Sequence, residues 1–458
     1  MTPTRTSLDL HALRSASQGP VLGPGDDGWD AARQAWNLVA DQHPAAVACV
    51  TSVGDVVAAV DSARTHGLRV AAQGTGHAAT ALASLEATVL LKTMRMGRVD
   101  VDPVARRARV EAGALWGELA VAAGEYGLAG LAGSSPDVGV VGYSLGGGIG
   151  WMSRRHGLAS ESITAVELVT AEGELVRADP DHEPDLFWAL RGGGGSFGVV
   201  TALEMSLVPV AELYAGSVMW PAEQAAELFH AYREWVQEVP AELTSGFRFL
   251  CLPPIPEVPE PLRARPVVDV TGAYEGDPAE GAALIDRLRS VAKPLLDTFA
   301  TIPAAALCRI YGDPEQPTPG MTHQTTLREL TPDTVDALVS SAGPDSGSPL
   351  LMVALRHLGG ALATAPDGAG ALGSLEAEYA LYGVGIPMAP EMARPIEAHL
   401  DRVVEAVEPW SAGRDYLNFA DRPGDASAAF APEAYQRLRD VKARVDPEDV
   451  FQASHPVS

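Results

Sequence analysis

Apolar residues recur at helical spacing between residues 53 and 66, where Val56, Val57, Val60 and Ala63 share one side of a predicted helix. Gly67 ends this helix, and the segment 68–73 after it predicts a short strand, so the two form one β/α unit. Similar patterns predict strands at 88–92, 106–111 and 246–252, helices at 114–125, 222–236 and 433–443, and a hairpin formed by 163–170 and 174–178.

The residue pattern along the chain changes at two points. After Pro209, proline-rich loops alternate with helical patterns as far as Trp410, and from Arg414 the pattern changes again. A chain of 458 residues exceeds the ~100–200 residues of a typical domain. The residues therefore predict either two large folding units or one discontinuous domain that carries an insertion at 209–410.

Composition excludes several classes of function. The chain has 33 Lys and Arg against 59 Asp and Glu, a net charge of −26, which argues against nucleic acid as a partner. It has no apolar run of ~18 residues and no signal-peptide pattern, so we expect a cytoplasmic protein with no membrane partner. Its three cysteines lack C-x-x-C spacing and its histidines lack H-E-x-x-H spacing, so no disulfide framework and no metal site is predicted.

Three dense glycine clusters, at 74–76, 146–150 and 192–198, need an explanation. Because glycine has no Cβ, the backbone N–H groups of such loops can approach a pyrophosphate closely. The third cluster contains G-x-G-x-x-G, but the β-branched run 199–201 after it predicts a strand where a dinucleotide-binding fingerprint requires a helix. We therefore predict a ligand cradle that is not of the Rossmann type.

A serine hydrolase is the alternative. Gly142-Tyr143-Ser144-Leu145-Gly146 fits the G-x-S-x-G nucleophile elbow, and the segment 138–141 before it looks like a strand. The elbow requires a packed helix after the serine, whereas the glycines of 146–150 each weaken a helix by ~1 kcal/mol. From the residues alone, the cradle and a hydrolase with Ser144 as its nucleophile both stay open.

The motifs taken in order resemble those of a known family. They are Gln73-Gly74-Thr75-Gly76-His77, the segment 133–140 (GSSPDVGV), the segment 142–150, the segment 187–201 (FWALRGGGGSFGVVT) and the terminal Tyr416-Leu417-Asn418-Phe419. This ordered set resembles the FAD-linked oxidases of the berberine bridge enzyme type, within the vanillyl-alcohol oxidase-like proteins. The resemblance spans nearly the whole chain and is loosest in the middle.

The resemblance implies an α+β fold. A discontinuous, two-lobed FAD-binding domain of PCMH type would comprise residues 1–208 and 411–458, and a substrate domain of antiparallel sheet backed by helices would comprise residues 209–410. It also implies a set of cofactor-binding residues: Gln73, Gly74, Thr75, Gly76, His77, Ala78, Ser134, Ser135, Gly139, Gly142, Gly147, Gly148, Gly150, Trp151, Gly198, Val200, Tyr416 and Asn418.

In this family the histidine of the first motif is bonded to the 8α-methyl carbon of the flavin, a role that falls on His77 here. A neutral imidazole is a competent nucleophile near pH 7. Many relatives use a cysteine of the second segment as a further attachment point, but Ser135 holds that position and has no thiolate. The resemblance therefore predicts FAD attached once, through His77, in an oxidase that passes electrons from a small molecule to O2.

The residues that act on the substrate are less well defined. Tyr416 and Asn418 lie in the terminal segment that, by resemblance, follows the reactive ring, and tyrosine is a poor base at its ordinary pKa of ~10. In the middle domain His357 is a second candidate for the catalytic base. Arg248, Arg356 and Asn418 are candidates for binding the substrate, with Arg356 suited to an anionic or phenolic group.

Overall fold

The computed structural model describes residues 8–82, 84–256, 258–263, 265–424 and 426–458. Three β-sheets organise them. The helices are α1 (Leu10–Ala16), α2 (Trp29–Arg33), α3 (Val53–Thr65), α4 (Trp116–Gly124), α5 (Val140–Leu145), α6 (Ser153–His156), α7 (Pro184–Leu190), α8 (Ala225–Trp235), α9 (Pro278–Arg289), α10 (Pro332–Ala342), α11 (Ala393–Ala406) and α12 (Pro432–Val445). The strands are β1 (Val21–Leu22), β2 (Ala46–Cys49), β3 (Arg69–Gln73), β4 (Thr88–Lys92), β5 (Val99–Asp102), β6 (Arg107–Glu111), β7 (Ile163–Val169), β8 (Leu175–Ala178), β9 (Val199–Ser206), β10 (Glu212–Pro221), β11 (Leu243–Cys251), β12 (Pro266–Tyr274), β13 (Leu296–Asp297), β14 (Ala300–Pro303), β15 (Met321–Leu327), β16 (Met352–His357) and β17 (Tyr379–Gly385).

The first sheet has the order β1-β2-β4-β3, with β2, β4 and β3 parallel and β1 antiparallel to β2. Helix α3 connects β2 to β3 and buries Val56 and Val60 completely against the sheet. The Ser52 hydroxyl caps the helix by accepting the N–H of Asp55, and Gly67 ends it in the left-handed region at φ 65°. The predicted β/α unit is confirmed.

The second sheet is antiparallel with the order β5-β6-β9-β7-β8. Strands β7 and β8 form the predicted hairpin, in which Gly173 takes φ 81° in the connecting turn. Strand β9 starts directly after the third glycine cluster, so a strand follows G-x-G-x-x-G as expected. This confirms that the cluster does not open a helix in the Rossmann manner.

The segment 138–141 corrects one prediction. It is not a strand, because Val140 and Val141 begin helix α5, in which both are buried. β-Branched residues favour strands only weakly, and burial against the second sheet outweighs that preference here. Helix α5 ends at Leu145, where the glycines start. The strand–serine–helix arrangement of a nucleophile elbow is therefore absent from this segment.

The third sheet has eight antiparallel strands in the order β13-β10-β12-β11-β16-β17-β15, with β14 also paired to β10. Helices α8 to α11 cover one face, where Phe229, Phe247, Leu338 and Leu381 form an apolar core. The predicted antiparallel sheet backed by helices is confirmed. Its strands lie between residues 212 and 385, inside the predicted insertion, while the exact limits at 208/209 and 410/411 stay a prediction.

The C-terminal part of the chain returns to the first sheet. The N–H of Val70 donates to the carbonyl of Val450 (2.8 Å), and the N–H of Gln452 donates to the carbonyl of Val70 (2.9 Å). The buried Asp446 fixes this return by accepting the N–H groups of Val450 and Phe451 at 2.8 and 2.9 Å. None of the helices in the described ranges is long and apolar enough to cross a membrane.

A buried carboxylate joins α3 to the segment before β1. Asp55, 2% exposed, accepts the N–H groups of Gln18 (2.7 Å), Gly19 (3.2 Å) and Thr51 (2.8 Å). Burial alone would raise its pKa, but these hydrogen bonds outweigh burial and hold the pKa below the ordinary value.

We expect Asp55→Asn to lower the free energy of unfolding at pH 7 by about 2 kcal/mol, because an amide accepts these N–H groups less well than a carboxylate. The folded-state pKa is depressed, so this contribution is present above the unfolded pKa of ~4 and is lost as pH falls through the folded value. Urea unfolding at pH 7 and at pH 3 measures it. Asp61→Asn, on an exposed part of the same helix, is the control; an Asp55→Asn deficit as large at pH 3 as at pH 7 would contradict the expectation.

Candidate active site

The loop after β3 presents His77. Its ring stacks on Trp36 with centroids 3.9 Å apart, and its Nε2 lies 3.3 Å from the carbonyl oxygen of Asp137 and 3.6 Å from Oδ1 of that residue. Burial lowers the pKa of His77, and the Asp137 charge opposes only part of that shift. The imidazole is therefore mostly neutral at pH 7 and keeps a nucleophilic nitrogen.

Asp137 gathers the groups around this histidine. Its Oδ2 accepts the indole N–H of Trp36 at 2.5 Å, and its Oδ1 accepts the Ser135 hydroxyl at 2.6 Å. The segment with Ser135 therefore lies beside His77. The same carboxylate orients the Trp36 ring on which His77 stacks.

The rest of the first motif is held by the chain that precedes β2. The backbone carbonyls of Thr75 and Gly76 accept the N–H groups of Trp36 (3.0 Å) and Asn37 (3.3 Å). Gly76 takes φ 93°, which an L side chain rarely adopts, and a Cβ there would lie 2.9 Å from Ala35. The Gln73 side-chain amide donates to Gln42 and accepts from Lys92. At Gly74, a Cβ would have no atom within 3.6 Å. The carbonyl of Ala78, which follows the motif, accepts the Ser454 hydroxyl.

The predicted cofactor-binding glycines of the segments 133–140, 142–150 and 187–201 fall into two groups. A Cβ added at Gly139 or Gly142 would meet nothing within 4 Å, so backbone there borders open space. Close packing instead surrounds the others. An added Cβ would lie 3.0 Å from Leu372 at Gly147, 2.5 Å from Tyr143 at Gly148, 2.1 Å from the Ala132 carbonyl at Gly150 and 2.6 Å from Leu168 at Gly198, while Val200 is buried in β9.

The residues present fit FAD. Open backbone at Gly139 and Gly142 lies at the start of α5, where the first N–H groups of a helix have no partner within the helix. Beside it, the buried Tyr143 hydroxyl has no hydrogen-bond partner among the described residues. Together with the neutral His77 imidazole, this open backbone gives a donor-rich surface suited to a phosphate-bearing flavin.

Ser144 is the fifth of the six residues of α5 and is completely buried. Its hydroxyl oxygen has no hydrogen-bond partner in the described structure, so no histidine activates it. A hydrolase nucleophile needs both an exposed oxygen and a base. The hydrolase alternative therefore has no structural support.

Tyr416 contacts the loop formed by residues 146–150, here called the glycine loop. Its hydroxyl oxygen accepts the N–H of Gly148 at 2.8 Å, and the Asn418 amide nitrogen donates to that oxygen (3.2 Å) and to the Tyr143 carbonyl (2.9 Å). Burial raises the pKa of Tyr416 far above its ordinary value, and the hydrogen bonds offset only part of this. The phenol is protonated at pH 7, so it holds the loop in place more readily than it removes a proton.

Two of the candidate substrate residues lie on the face of the third sheet opposite the helices. Arg248 is 2% exposed and bonds Asp269 through two contacts of 3.0 and 3.1 Å, so its charge is already paired. Arg356 lies against the rings of both Trp151 and Tyr311, with its guanidinium carbon 4.3 Å from each centroid, and the two rings contact each other edge to face at 4.7 Å. Trp151, directly after the segment 142–150, thus contacts the third sheet through Arg356.

His357 is not brought to this site, and the hypothesis that it acts as a base needs correction. Neighbouring residues of a strand point to opposite faces, so His357 faces the helices when Arg356 faces the glycine loops. Its ring stacks on Tyr379 in the helix-backed core, with centroids 5.6 Å apart. Burial, together with the Arg154 charge, lowers the pKa of His357 to about 3.

The fold adds two acidic residues that the sequence patterns did not single out. The Ser134 hydroxyl donates to Asp313 at 2.9 Å, and burial raises the pKa of Asp313 although Arg248 and Arg356 oppose the shift. Asp421 accepts the Thr322 hydroxyl at 2.6 Å, and burial raises its pKa to about 6. Each stands alone in a loop without a motif, so only the three-dimensional arrangement identifies them.

A cleft of about 500 Å³ opens between residues 39–43, residues 79–82 and 84–86, and the start of β15, with Asp421 on its wall. Neither His77, Tyr416 nor Arg356 lines it. The candidate site is therefore defined by these three residues and their partners. No group of three or more potential metal ligands occurs in the described parts of the chain.

Known proteins share these features. Residues 44–179 match the family described as FAD binding domain, and residues 415–458 match the family described as berberine and berberine like. The (R)-6-hydroxynicotine oxidase of Paenarthrobacter nicotinovorans is 29% identical over 96% of both chains. The xylooligosaccharide oxidase of Thermothelomyces thermophilus is 27% identical over 96% of this chain and 94% of its own. A crystal structure of 6-hydroxy-D-nicotine oxidase from Arthrobacter nicotinovorans has a TM-score of 0.80 at 26% identity, covering 95% of this chain and 96% of that one.

Fold and site together define a flavoenzyme with a PCMH-type FAD-binding fold. The chain carries an FAD-binding domain and a berberine bridge enzyme-like segment, its relatives over nearly the whole length include an FAD-linked oxidase, and these matches support FAD as the cofactor. The resemblance predicted from the ordered motifs is confirmed, and the serine hydrolase reading of Ser144 finds no support among the relatives.

The hydrogen bond between Gly148 and Tyr416 gives a second prediction. We expect Tyr416→Phe to lower the free energy of unfolding by about 1–3 kcal/mol, since the buried N–H of Gly148 loses its acceptor. FAD should still bind. Thermal unfolding and flavin absorbance measure the two effects, and Tyr126→Phe, at a half-exposed tyrosine, is the control. Unchanged stability combined with loss of turnover would instead assign Tyr416 a direct role in proton transfer.

Proposed function

We propose that this protein is an oxidase that carries FAD attached covalently, and only once, through His77. The observation that carries the proposal is the position of His77: a neutral imidazole stacked on Trp36, beside Asp137, in a segment adjoining Ser135. Ser135 occupies the position where a second link would need a thiolate, and a hydroxyl does not supply one.

Asp137 supports this role electrostatically. An imidazole that forms a bond through one nitrogen becomes more acidic at the other, and a carboxylate 3.6 Å from Nε2 stabilises positive charge as it develops on the ring. The Trp36 indole and the Ser135 hydroxyl both donate to Asp137, so this carboxylate keeps its orientation throughout.

Bound FAD supplies the hydride acceptor and returns the electrons to O2. The chain has three tasks: it holds the cofactor, it orients the substrate and it excludes water. Open backbone at Gly139 and Gly142 suits the phosphates, and Arg356 of the third sheet contacts Trp151 and Tyr311 beside the glycines. The relatives named as nicotine and oligosaccharide oxidases support a small alcohol or amine as the class of substrate.

The covalent link is tested with His77→Ala. We expect the purified wild-type protein to be yellow and, after acid denaturation, to retain flavin fluorescence on the polypeptide, because the bond survives unfolding. His77→Ala should release all its flavin, while His43→Ala, at an exposed histidine in the cleft that His77 does not line, should behave as wild type. Chain-bound flavin in the His77→Ala protein would sink the assignment.

Oxygen use is tested separately by adding alcohols and amines under anaerobic conditions and following the flavin absorbance. We expect a true substrate to bleach the flavin, and air to restore the colour with one hydrogen peroxide per substrate oxidised. A related fold is described as a glucose dehydrogenase, so reoxidation by a quinone dye but not by air would make the protein a dehydrogenase.

A further inference from the structure

The described parts of the chain bury four arginines: Arg154, Arg191, Arg248 and Arg356, each at most 8% exposed. Burying a cation without a partner is unfavourable, so such residues normally carry hydrogen bonds and ion pairs. Arg154 donates to three backbone carbonyls, Arg191 bonds Glu161, and Arg248 bonds Asp269. Arg356 is the exception.

Arg356 is 6% exposed, yet among the described residues its guanidinium has no hydrogen bond and no carboxylate within ion-pair distance. None of its nitrogen atoms is completely enclosed, so they border open space. The rings of Trp151 and Tyr311 stabilise the cation through their π-systems, but they use none of its N–H groups. The N–H fork is therefore unused among the described residues.

The surroundings are suited to a small aromatic ligand. Trp151 directly follows the glycine loop, and both its indole nitrogen and the Tyr311 hydroxyl are buried without a partner in the described structure. Phe419 contacts Tyr416 and Tyr382 with ring centroids 5.0 and 4.7 Å apart, which adds apolar surface on the side of the terminal segment. Asp313, on whose pKa the Arg356 charge acts, accepts the Ser134 hydroxyl at 2.9 Å.

We propose that Arg356 is a substrate-binding residue that holds the carboxylate of a small substrate with an apolar or aromatic body. This inference rests on the proposed function, because it places the substrate between the third sheet and the flavin. The fork geometry of a guanidinium matches the two oxygens of a carboxylate, and the low exposure strengthens the attraction. The Arg248 guanidinium is already bonded to Asp269, and it contacts the Tyr311 ring at 3.7 Å, which keeps that ring in place beside Arg356.

Two anionic groups are candidates for pairing with Arg356. The one we propose is the substrate carboxylate, and the alternative is the flavin ring, which gains negative charge on reduction. Benzoate is a probe for the first source, and benzamide is its uncharged counterpart of nearly equal shape. The flavin midpoint potential reports the second source, because loss of a cation beside the ring lowers that potential.

The experiment is calorimetric titration of the yellow holoenzyme with benzoate and benzamide. We expect benzoate to bind more tightly than benzamide, and Arg356→Met to weaken benzoate binding by about 10–100-fold, the effect of losing a charge-assisted hydrogen-bonded pair. Arg356→Lys, which keeps the charge without the fork, should lose less. Arg394→Met removes an exposed, unpaired arginine of α11 and should change nothing.

Equal binding of the two probes, or benzoate binding unchanged in Arg356→Met, would overturn the proposal. Unchanged benzoate binding with a lowered midpoint potential would assign Arg356 to the flavin instead. A colourless protein that takes up no FAD would mean that the proposed function itself has failed. A Met side chain is flexible enough to pack against the two rings, and flavin absorbance in each variant confirms that it is folded.

Discussion

One hydrogen bond, from the backbone N–H of Gly148 to the hydroxyl of Tyr416, holds together parts of the chain that are 268 residues apart. Gly148 can make it only because φ is 83° and because no Cβ collides with Tyr143 and Ala159. Asn418 repeats the connection by bonding the Tyr143 carbonyl. The glycine loop thus has one fixed shape, and the terminal segment is as much a part of the site as the first two hundred residues.

That fixed loop positions the next group along the chain, the Trp151 ring, against Arg356 of the third sheet. The sheet is itself held by pairing: Arg356 is opposite Gly246 on β11, and Arg248 is two residues further along that strand. Glycine at 246 leaves room beside the Arg356 side chain, since an added Cβ would lie 3.0 Å from the Tyr311 hydroxyl. The glycine loop and the third sheet are therefore coupled through packed aromatic rings.

Sequence reasoning succeeded where burial and local pattern agree. Helix α3 and the hairpin β7–β8 have a buried face that repeats at the spacing of the element, so pattern alone identifies them. It failed at α5, where valines that favour a strand are buried in a helix by contacts that are distant in sequence. It also placed Arg356 and His357 together, although strand geometry separates adjacent side chains. Asp313 was missed because its partner Ser134 lies 179 residues away.

Charge in this protein acts on two length scales. The net charge of −26 surrounds the molecule with a negative field, which salt screens beyond ~8 Å under physiological conditions. Within the site the balance differs, because Asp269 is matched by Arg248 and burial favours the neutral form of Asp313. The positive charge of Arg356 therefore remains uncompensated over the few ångströms that decide binding, where the dielectric is low and screening is weak. An acidic surface is compatible with an unpaired, nearly buried cation for this reason: the surface field acts at long range and is screened by salt, whereas the charge of Arg356 acts over a few ångströms.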